Sequence, residues 1–200
     1  MADLPELILF RHGETEWNLQ GRWQGARDSA LTARGRAQAL ALGSMFARMG
    51  IGPKGHALLS SPQPRASTTA ELAFGTPPRT DSRLREIEVG EWTGVAVETI
   101  RQSPGMSADA DLLDLYGAAP GGEGFDALEE RCRSFLADLA GPTILVTHGM
   151  TARMLRTIVL GLPRAAISQL VGGQGIAFHL ARGMERRLTP ILSDWPDARP

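Results

Sequence analysis

The chain has 200 residues and a formal net charge of −1, from 21 basic and 22 acidic side chains. This balance gives no reason to expect a nucleic-acid or membrane-surface partner, and a hydrophobic content of 42% is that of a globular protein with a core. The single lysine, Lys54, lies in a loop-like segment, so a lysine-containing phosphate loop is excluded. The single cysteine, Cys132, excludes an intramolecular disulfide and a multi-cysteine metal site. Asp3 and Glu6 precede the first apolar run, so neither a signal peptide nor a membrane span is predicted, and we expect a cytoplasmic protein.

Apolar periodicity and end signals predict strands that alternate with helices. Thr32 is a good N-cap for the first long helix and Gly50 is its end signal. In chain order we expect a strand at 7–10, a polar loop to about 31, a helix at 33–49, a strand at 57–59, a helix at 64–74, an irregular segment at 81–116, a helix at 125–139, a strand at 143–146, a helix at 150–160, a strand at 175–180 and a last strand near 188.

This alternation predicts an α/β fold, because strands that follow helices pair in parallel and are covered on both faces. We expect a three-layer α/β/α sandwich around a mostly parallel central sheet, with a small irregular cap lobe. No long polar linker or internal repeat interrupts the sequence. The chain is therefore predicted to be a single domain over residues 1–200, with the cap inserted at about 90–124.

Two predicted strands end in the same way, at Arg11-His12-Gly13 and at Thr147-His148-Gly149. Ligands in open α/β sheets bind beyond the carboxyl ends of the strands, so two neighbouring strands would place both imidazoles at one site. Each glycine allows the backbone to approach a ligand closely, which makes Gly149 a candidate binding residue. The helix that starts at Met150 would direct its free N–H groups to the same place, as suits an anion.

The segment Leu9–Asn18, LFRHGETEWN, resembles the signature of the histidine phosphatases, also called the phosphoglycerate mutase-like superfamily. Four further segments resemble that family in the expected order: 21–35 (GRWQGARDSALTARG), 60–70 (SSPQPRASTTA), 84–94 (LREIEVGEWTG) and 145–149 (LVTHG). Together these segments extend the resemblance over roughly residues 6 to 180.

The resemblance implies a phosphate site with divided roles. His12 would be the nucleophile that becomes a phosphohistidine, and its second ring nitrogen should be held by an acceptor such as a backbone carbonyl. Protonated His148 would add positive charge beside the transferring group. The remaining phosphate- or substrate-binding candidates are Arg11, Arg65, Asn18, Gln24 and Gly149. No metal and no cofactor is expected, because side-chain cations take the place of a metal.

The carboxyl group that handles protons is predicted to be Glu86, which matches the position of the family acid. Glu88 and Glu91 lie close by, and without the family pattern the three carboxylates rank equally. Glu14, inside the signature, is expected to order the loop. Met150 departs from the small or polar residue of many relatives. Substrate range would change if its side chain narrowed the pocket.

The cap is the basis for choosing among three activities. Between Trp92 and Glu130 the only base is Arg101, whereas a mutase needs several cations there, and 120–124 (PGGEG) resembles the phosphatase branch. We expect a metal-independent phosphomonoesterase acting on a small phosphate monoester whose remaining body is neutral or partly apolar. A cofactor-dependent phosphoglycerate mutase and a non-catalytic phospho-ligand binding protein remain as alternatives. Small sugar phosphates, ribazole-type phosphates and phosphoserine-type substrates all stay open, and so does the oligomeric state, including a homodimer.

Overall fold

The computed structural model describes residues 4–107 and 109–196. The strands are β1 (Leu7–Arg11), β2 (Ala57–Ser60), β3 (Arg79–Thr80), β4 (Thr143–Thr147), β5 (Ala177–Ala181) and β6 (Met184–Leu188). The α-helices are α1 (Glu16–Leu19), α2 (Ala33–Arg48), α3 (Pro64–Phe74), α4 (Val97–Arg101), α5 (Leu112–Gly117), α6 (Gly124–Ala137) and α7 (Gly149–Val159).

The strands described form one mixed sheet in the order β3-β2-β4-β1-β5-β6. The pairs from β3 to β1 are parallel, whereas β5 and β6 are antiparallel. Strands β1 and β4 are central neighbours, with Leu7 opposite Thr143 and Arg11 opposite Thr147. Both strands therefore end at the same edge of the sheet, as the sequence predicted.

Each face of the sheet is covered by its own hydrophobic cluster, because side chains alternate along a strand. Ile8 and Phe10 of β1 belong to the cluster that contains residues of α2 and α3. Leu7 and Leu9 belong to the cluster that contains residues of α6 and α7. The predicted three-layer arrangement of helices around a mostly parallel sheet is thus confirmed.

Short helices account for most differences from the expected elements. Helix α1 lies within the segment 11–31 that was predicted to be a loop, and α4 and α5 lie within or overlap the segment predicted to be irregular. Capping boxes start two of them, with Thr15 paired to Asn18 and Asp111 paired to Asp114. Helices of four to six residues are too short to show an apolar period, so local capping bonds define them instead.

The two ends of the predicted cap segment, 90–124, meet each other through close backbone contacts. A Cβ atom on Gly90 would lie 2.0 Å from the carbonyl oxygen of Pro120, so glycine is required at this junction. Glu123 and Arg131 form an ion pair beside it. Among the residues described, no helix is long and apolar enough to cross a membrane.

Candidate active site

The two histidines predicted from the strand ends lie side by side. The backbone N–H of His12 donates to the carbonyl oxygen of Thr147 at 2.9 Å, which extends the β1–β4 pairing one residue past the strand. The two imidazole ring centroids are 5.2 Å apart. Both side chains are buried, with exposures of 2% for His12 and 0% for His148. The parallel register of β1 and β4 is therefore what brings the two rings together.

His12 is held in one tautomer by a backbone carbonyl. Its Nδ1 lies 2.7 Å from the carbonyl oxygen of Gly13, and since a carbonyl can only accept, Nδ1 carries the proton. Burial, together with the positive charges of Arg11 and Arg65, holds the pKa of this imidazole well below its ordinary value. The ring is accordingly neutral, with its lone pair on Nε2, which is the form that a nucleophile requires.

Arg11 and Arg65 bring two guanidinium groups to the same cavity. Arg65 is fixed by its terminal nitrogens, which donate to the carbonyl oxygens of Gly25 and Arg27 and to Oδ1 of Asp28 at 2.6 to 3.1 Å. The Nε atoms of both arginines are buried and have no hydrogen-bond partner within residues 4–107 and 109–196. Buried donors without partners are uncommon, and a phosphoryl oxygen would satisfy them.

His148 differs from the sequence expectation in its protonation. Burial, together with the positive charges of Arg65 and Arg11, lowers its pKa well below the ordinary value, so the free site holds a neutral ring rather than a cation. Its Nε2 lies 2.8 Å from Oγ of Ser61, and its buried Nδ1 has no partner in the described part of the chain. Ser61 Oγ already accepts from the backbone N–H of Gln63, which leaves the hydroxyl hydrogen free to donate to Nε2. In that arrangement Nδ1 of His148 carries the hydrogen and acts as a donor.

The carboxylate of Glu86 lies at the start of helix α7, where the sequence analysis expected an anion to bind. Its Oε2 accepts the backbone N–H of Met150 at 3.2 Å, and its Oε1 accepts the backbone N–H and the hydroxyl of Thr151. The N–H groups of Met150 and Thr151, in the first turn of α7, therefore bind this carboxylate, and the expectation that the start of the helix also faces an external anion stays a prediction. The Met150 side chain is 1% exposed within the core cluster, so it does not narrow the pocket. A Cβ on Gly149 would lie 3.6 Å from Oε2 of Glu86, which places this predicted residue beside the carboxylate.

Asn18 and Gln24 are tied together through one hydroxyl group. The Gln24 amide donates to Oγ1 of Thr15 at 2.7 Å, and this hydroxyl donates to Oδ1 of Asn18 at 3.0 Å. Gln174 also donates to Oδ1 of Asn18, so the amide nitrogen of Asn18 stays available for a ligand. Glu14 accepts a hydrogen bond from Thr32 and orders the loop, as expected.

One small cavity collects these side chains. It has a volume of about 50 Å³, and six of the eight predicted site residues line it: Arg11, His12, Asn18, Gln24, Arg65 and Glu86. The cavity is also lined by three residues that the sequence analysis did not assign to the site: Arg22, Trp23 and Tyr116. Tyr116 stacks on Trp23 with ring centroids 4.0 Å apart. Arg22 and Trp23 lie next to Gln24 in the segment 21–35 that resembles the family, whereas Tyr116 belongs to a separate segment with no such resemblance.

A larger cavity of about 660 Å³ is lined by residues that lie between Trp92 and Pro120 in the sequence. Its lining contains none of the predicted site residues. Among the residues described, no group of three histidine, cysteine, aspartate or glutamate side chains is placed to hold a metal ion. The chemistry that the structure supports is therefore concentrated at the smaller, cation-lined cavity.

The sequence profile of the histidine phosphatase superfamily (branch 1) matches residues 7–177, most of the chain. The chain belongs to the histidine phosphatase superfamily. The individual roles assigned to its site residues stay predictions, whereas the convergence of six of the eight on one cavity is a feature of the structure, with His148 and Gly149 outside its lining.

Similar proteins within this superfamily carry the names of both enzymes that the sequence suggested. A relative from Salmonella paratyphi B named "Probable phosphoglycerate mutase GpmB" is 33% identical over 174 residues, which cover 82% of this chain and 79% of that protein. A mycobacterial glucosyl-3-phosphoglycerate phosphatase, solved in complex with VO3, is 29% identical with a TM-score of 0.76 and covers 93% of this chain and 98% of its own. TTHB049 from Thermus thermophilus is 36% identical with a TM-score of 0.68, over 92% and 99% of the two chains.

Proposed function

We propose that this histidine phosphatase is a metal-independent phosphomonoesterase that hydrolyses a small phosphorylated metabolite through a phosphohistidine on His12. The observation that carries the proposal is the neutral, oriented imidazole of His12 in a cavity that Arg11 and Arg65 also line. Buried Nε atoms without partners on both arginines, among the residues described, match the demand of a phosphoryl group for donors. A cytoplasmic location and a small-molecule substrate remain part of this proposal.

Two displacements at phosphorus make up the reaction. Nε2 of His12 forms a P–N bond while the ester P–O bond breaks, and the leaving alcohol oxygen takes a proton from the carboxyl group of Glu86. Water then attacks the phosphohistidine, gives a proton to the Glu86 carboxylate and releases inorganic phosphate as the electron pair returns to Nε2. The guanidinium groups and Nδ1–H of His148 would bind the equatorial oxygens and stabilise their charge.

Hydrolysis is favoured over mutase activity by the cap. A mutase must hold a second anionic group while its substrate reorients, which requires several cations over the pocket. Arg101 is the only base between Trp92 and Glu130, and its guanidinium donates to the carbonyl oxygen of Ala110 at 3.0 Å. Likeness to the glucosyl-3-phosphoglycerate phosphatase supports hydrolysis, and likeness to the mutase-named relative keeps mutase activity as the second candidate.

A binding or scaffold protein is the third candidate, and it is disfavoured because the site is intact. Such a protein would need neither a nucleophile in the correct tautomer nor a carboxyl group beside it. His12 and Glu86 line the same cavity here, and the histidine ring is fixed by Gly13.

The decisive experiment is phosphorus NMR of the protein, with a chelator present, on an aryl phosphate and on 3-phosphoglycerate with a trace of 2,3-bisphosphoglycerate. We expect inorganic phosphate from the aryl ester, no formation of 2-phosphoglycerate, and loss of at least about a thousandfold in turnover for His12→Ala because no phosphohistidine can form. Rapid interconversion of the phosphoglycerates would establish the mutase instead. Absence of both reactions, with phosphate binding retained, would favour the binding protein.

A further inference from the structure

The cavity is too small for a whole phosphorylated metabolite. A volume of about 50 Å³ accommodates about four water-sized groups, which corresponds to a phosphoryl group and little else. If the phosphoryl group binds beside His12, the alcohol must extend past the rim of the cavity. The residues at that rim therefore contact the part of the substrate that differs from one phosphate monoester to another.

Arg22 differs from Arg11 and Arg65, the other two arginines that line the cavity, in being exposed to solvent. Its side chain lines the cavity and is exposed, and it makes no ion pair within the described ranges of the chain. Its guanidinium donates one long hydrogen bond, 3.4 Å, to the carbonyl oxygen of Gly94. By contrast, Arg65 is buried and bound to Asp28, and Arg11 is partly buried with its Nε directed to the phosphoryl site proposed above.

We propose that Arg22 determines substrate specificity by pairing with an anionic group, such as a carboxylate, on the alcohol part of the phosphate monoester. This inference rests on the proposed function, since it places the phosphoryl group beside His12. It also revises the expectation of a neutral body, which was drawn from the cap alone. A planar guanidinium at the rim can form two parallel hydrogen bonds to a carboxylate, which a neutral hydroxymethyl group cannot match.

Two esters that differ only at one carbon test this proposal. 3-Phosphoglycerate carries a carboxylate where glycerol 3-phosphate carries a hydroxymethyl group. Dissociation constants are measured by titration calorimetry in the His12→Ala background, so that neither ester is consumed. We expect 3-phosphoglycerate to bind about fivefold more tightly, the range of one well-placed but exposed ion pair, and we expect added salt to reduce this ratio.

Arg22→Gln should bring the ratio of the two dissociation constants to within about twofold. Arg36→Gln is the matched control, because it removes one exposed positive charge on α2 and should leave the ratio unchanged. A ratio that is near one in the His12→Ala protein, or that survives Arg22→Gln, overturns the inference. Aryl phosphate hydrolysis by the unmodified chain reports separately on the proposed function, so that either proposal can fail alone.

Discussion

Proton binding by the two active-site histidines links folding stability to pH. Because the pKa of His12 and that of His148 are held well below 6.5 in the folded protein, the unfolded chain binds more protons than the native one between the folded value and about pH 6.5. The free energy of unfolding therefore falls as the pH drops below about 6.5. Above that pH both states are neutral at these residues, and this effect on stability vanishes.

His148→Gln should reduce that pH dependence, because the variant removes one of the two groups that must stay neutral on folding. The measurement is urea unfolding of the wild-type protein and the variant at about pH 7.5 and about pH 5.5. We expect a smaller loss of stability on acidification in the variant. Equal losses in the two proteins would show that His148 does not resist protonation in the native state.

Residues with a local signal could be predicted from the sequence, and residues that depend on distant contacts could not. His12 and His148 each follow a recognisable buried strand, so their meeting follows from the topology. Ser61 was not singled out, because its bond to His148 joins residues 87 positions apart. The same holds for Tyr116, whereas Arg22 lies two residues before the predicted Gln24, so its position in the sequence did carry a signal.

At the scale of elements, the start of α2 packs tightly against the loop that contains His12. A Cβ on Gly13 would lie 2.3 Å from the carbonyl oxygen of Gly35, and a Cβ on Gly35 would lie 2.0 Å from that of Glu14. Backbone atoms are the obstacle in both cases, so a side chain cannot simply rotate away. The helix and the active-site loop are thus in direct backbone contact.

Gly35→Ala should destabilise the protein by about 2–3 kcal/mol, although alanine is the better helix former by about 1 kcal/mol. Gly141→Ala is the control, because nothing lies within 4 Å of its added Cβ and its backbone is not in the left-handed region. Chemical denaturation gives both values. A neutral or stabilising Gly35→Ala would show that the loop can move away from α2.

Long elements with explicit end signals were predicted almost to the residue. Helix α2 runs from Ala33 to Arg48 against the expected 33–49, because Thr32 does cap it by accepting from the N–H of Gly35. Which apolar residues of α2 are buried is less evident from the sequence, since Leu40 is 40% exposed whereas Leu42 and Phe46 are buried. Packing against β1 and α3 selects that face, and a single chain segment contains no information about its partners.

At the scale of the whole molecule, the active site is assembled from two parts of the chain that must stay in register. The sheet edge supplies His12 and His148, whereas Glu86, Trp23 and Tyr116 come from segments outside the strands. The segments around residues 88–91 and 120–123 meet through hydrogen bonds from Glu91 N–H to Pro120 and from Glu123 N–H to Glu88. This junction holds the two ends of the predicted cap segment together.

Arg131 connects that junction to the core. Its guanidinium donates to both carboxylate oxygens of Glu123 and to the carbonyl oxygen of Arg83, and the Arg131 and Glu123 side chains are 13% and 14% exposed. Removing one partner of a mostly buried pair leaves the other charge without compensation. Arg131→Met should therefore lower the free energy of unfolding by about 2–3 kcal/mol, somewhat less than for a fully buried pair.

A double-mutant cycle with Glu123→Gln separates the interaction energy of the Arg131–Glu123 ion pair from the stability that is lost through packing alone. The double variant should be less destabilised than the sum of the two single variants, because it contains no uncompensated charge. Urea unfolding measures all four proteins. Strict additivity would contradict a coupled pair and would mean that the backbone contacts at Gly90 hold the cap in place without Arg131.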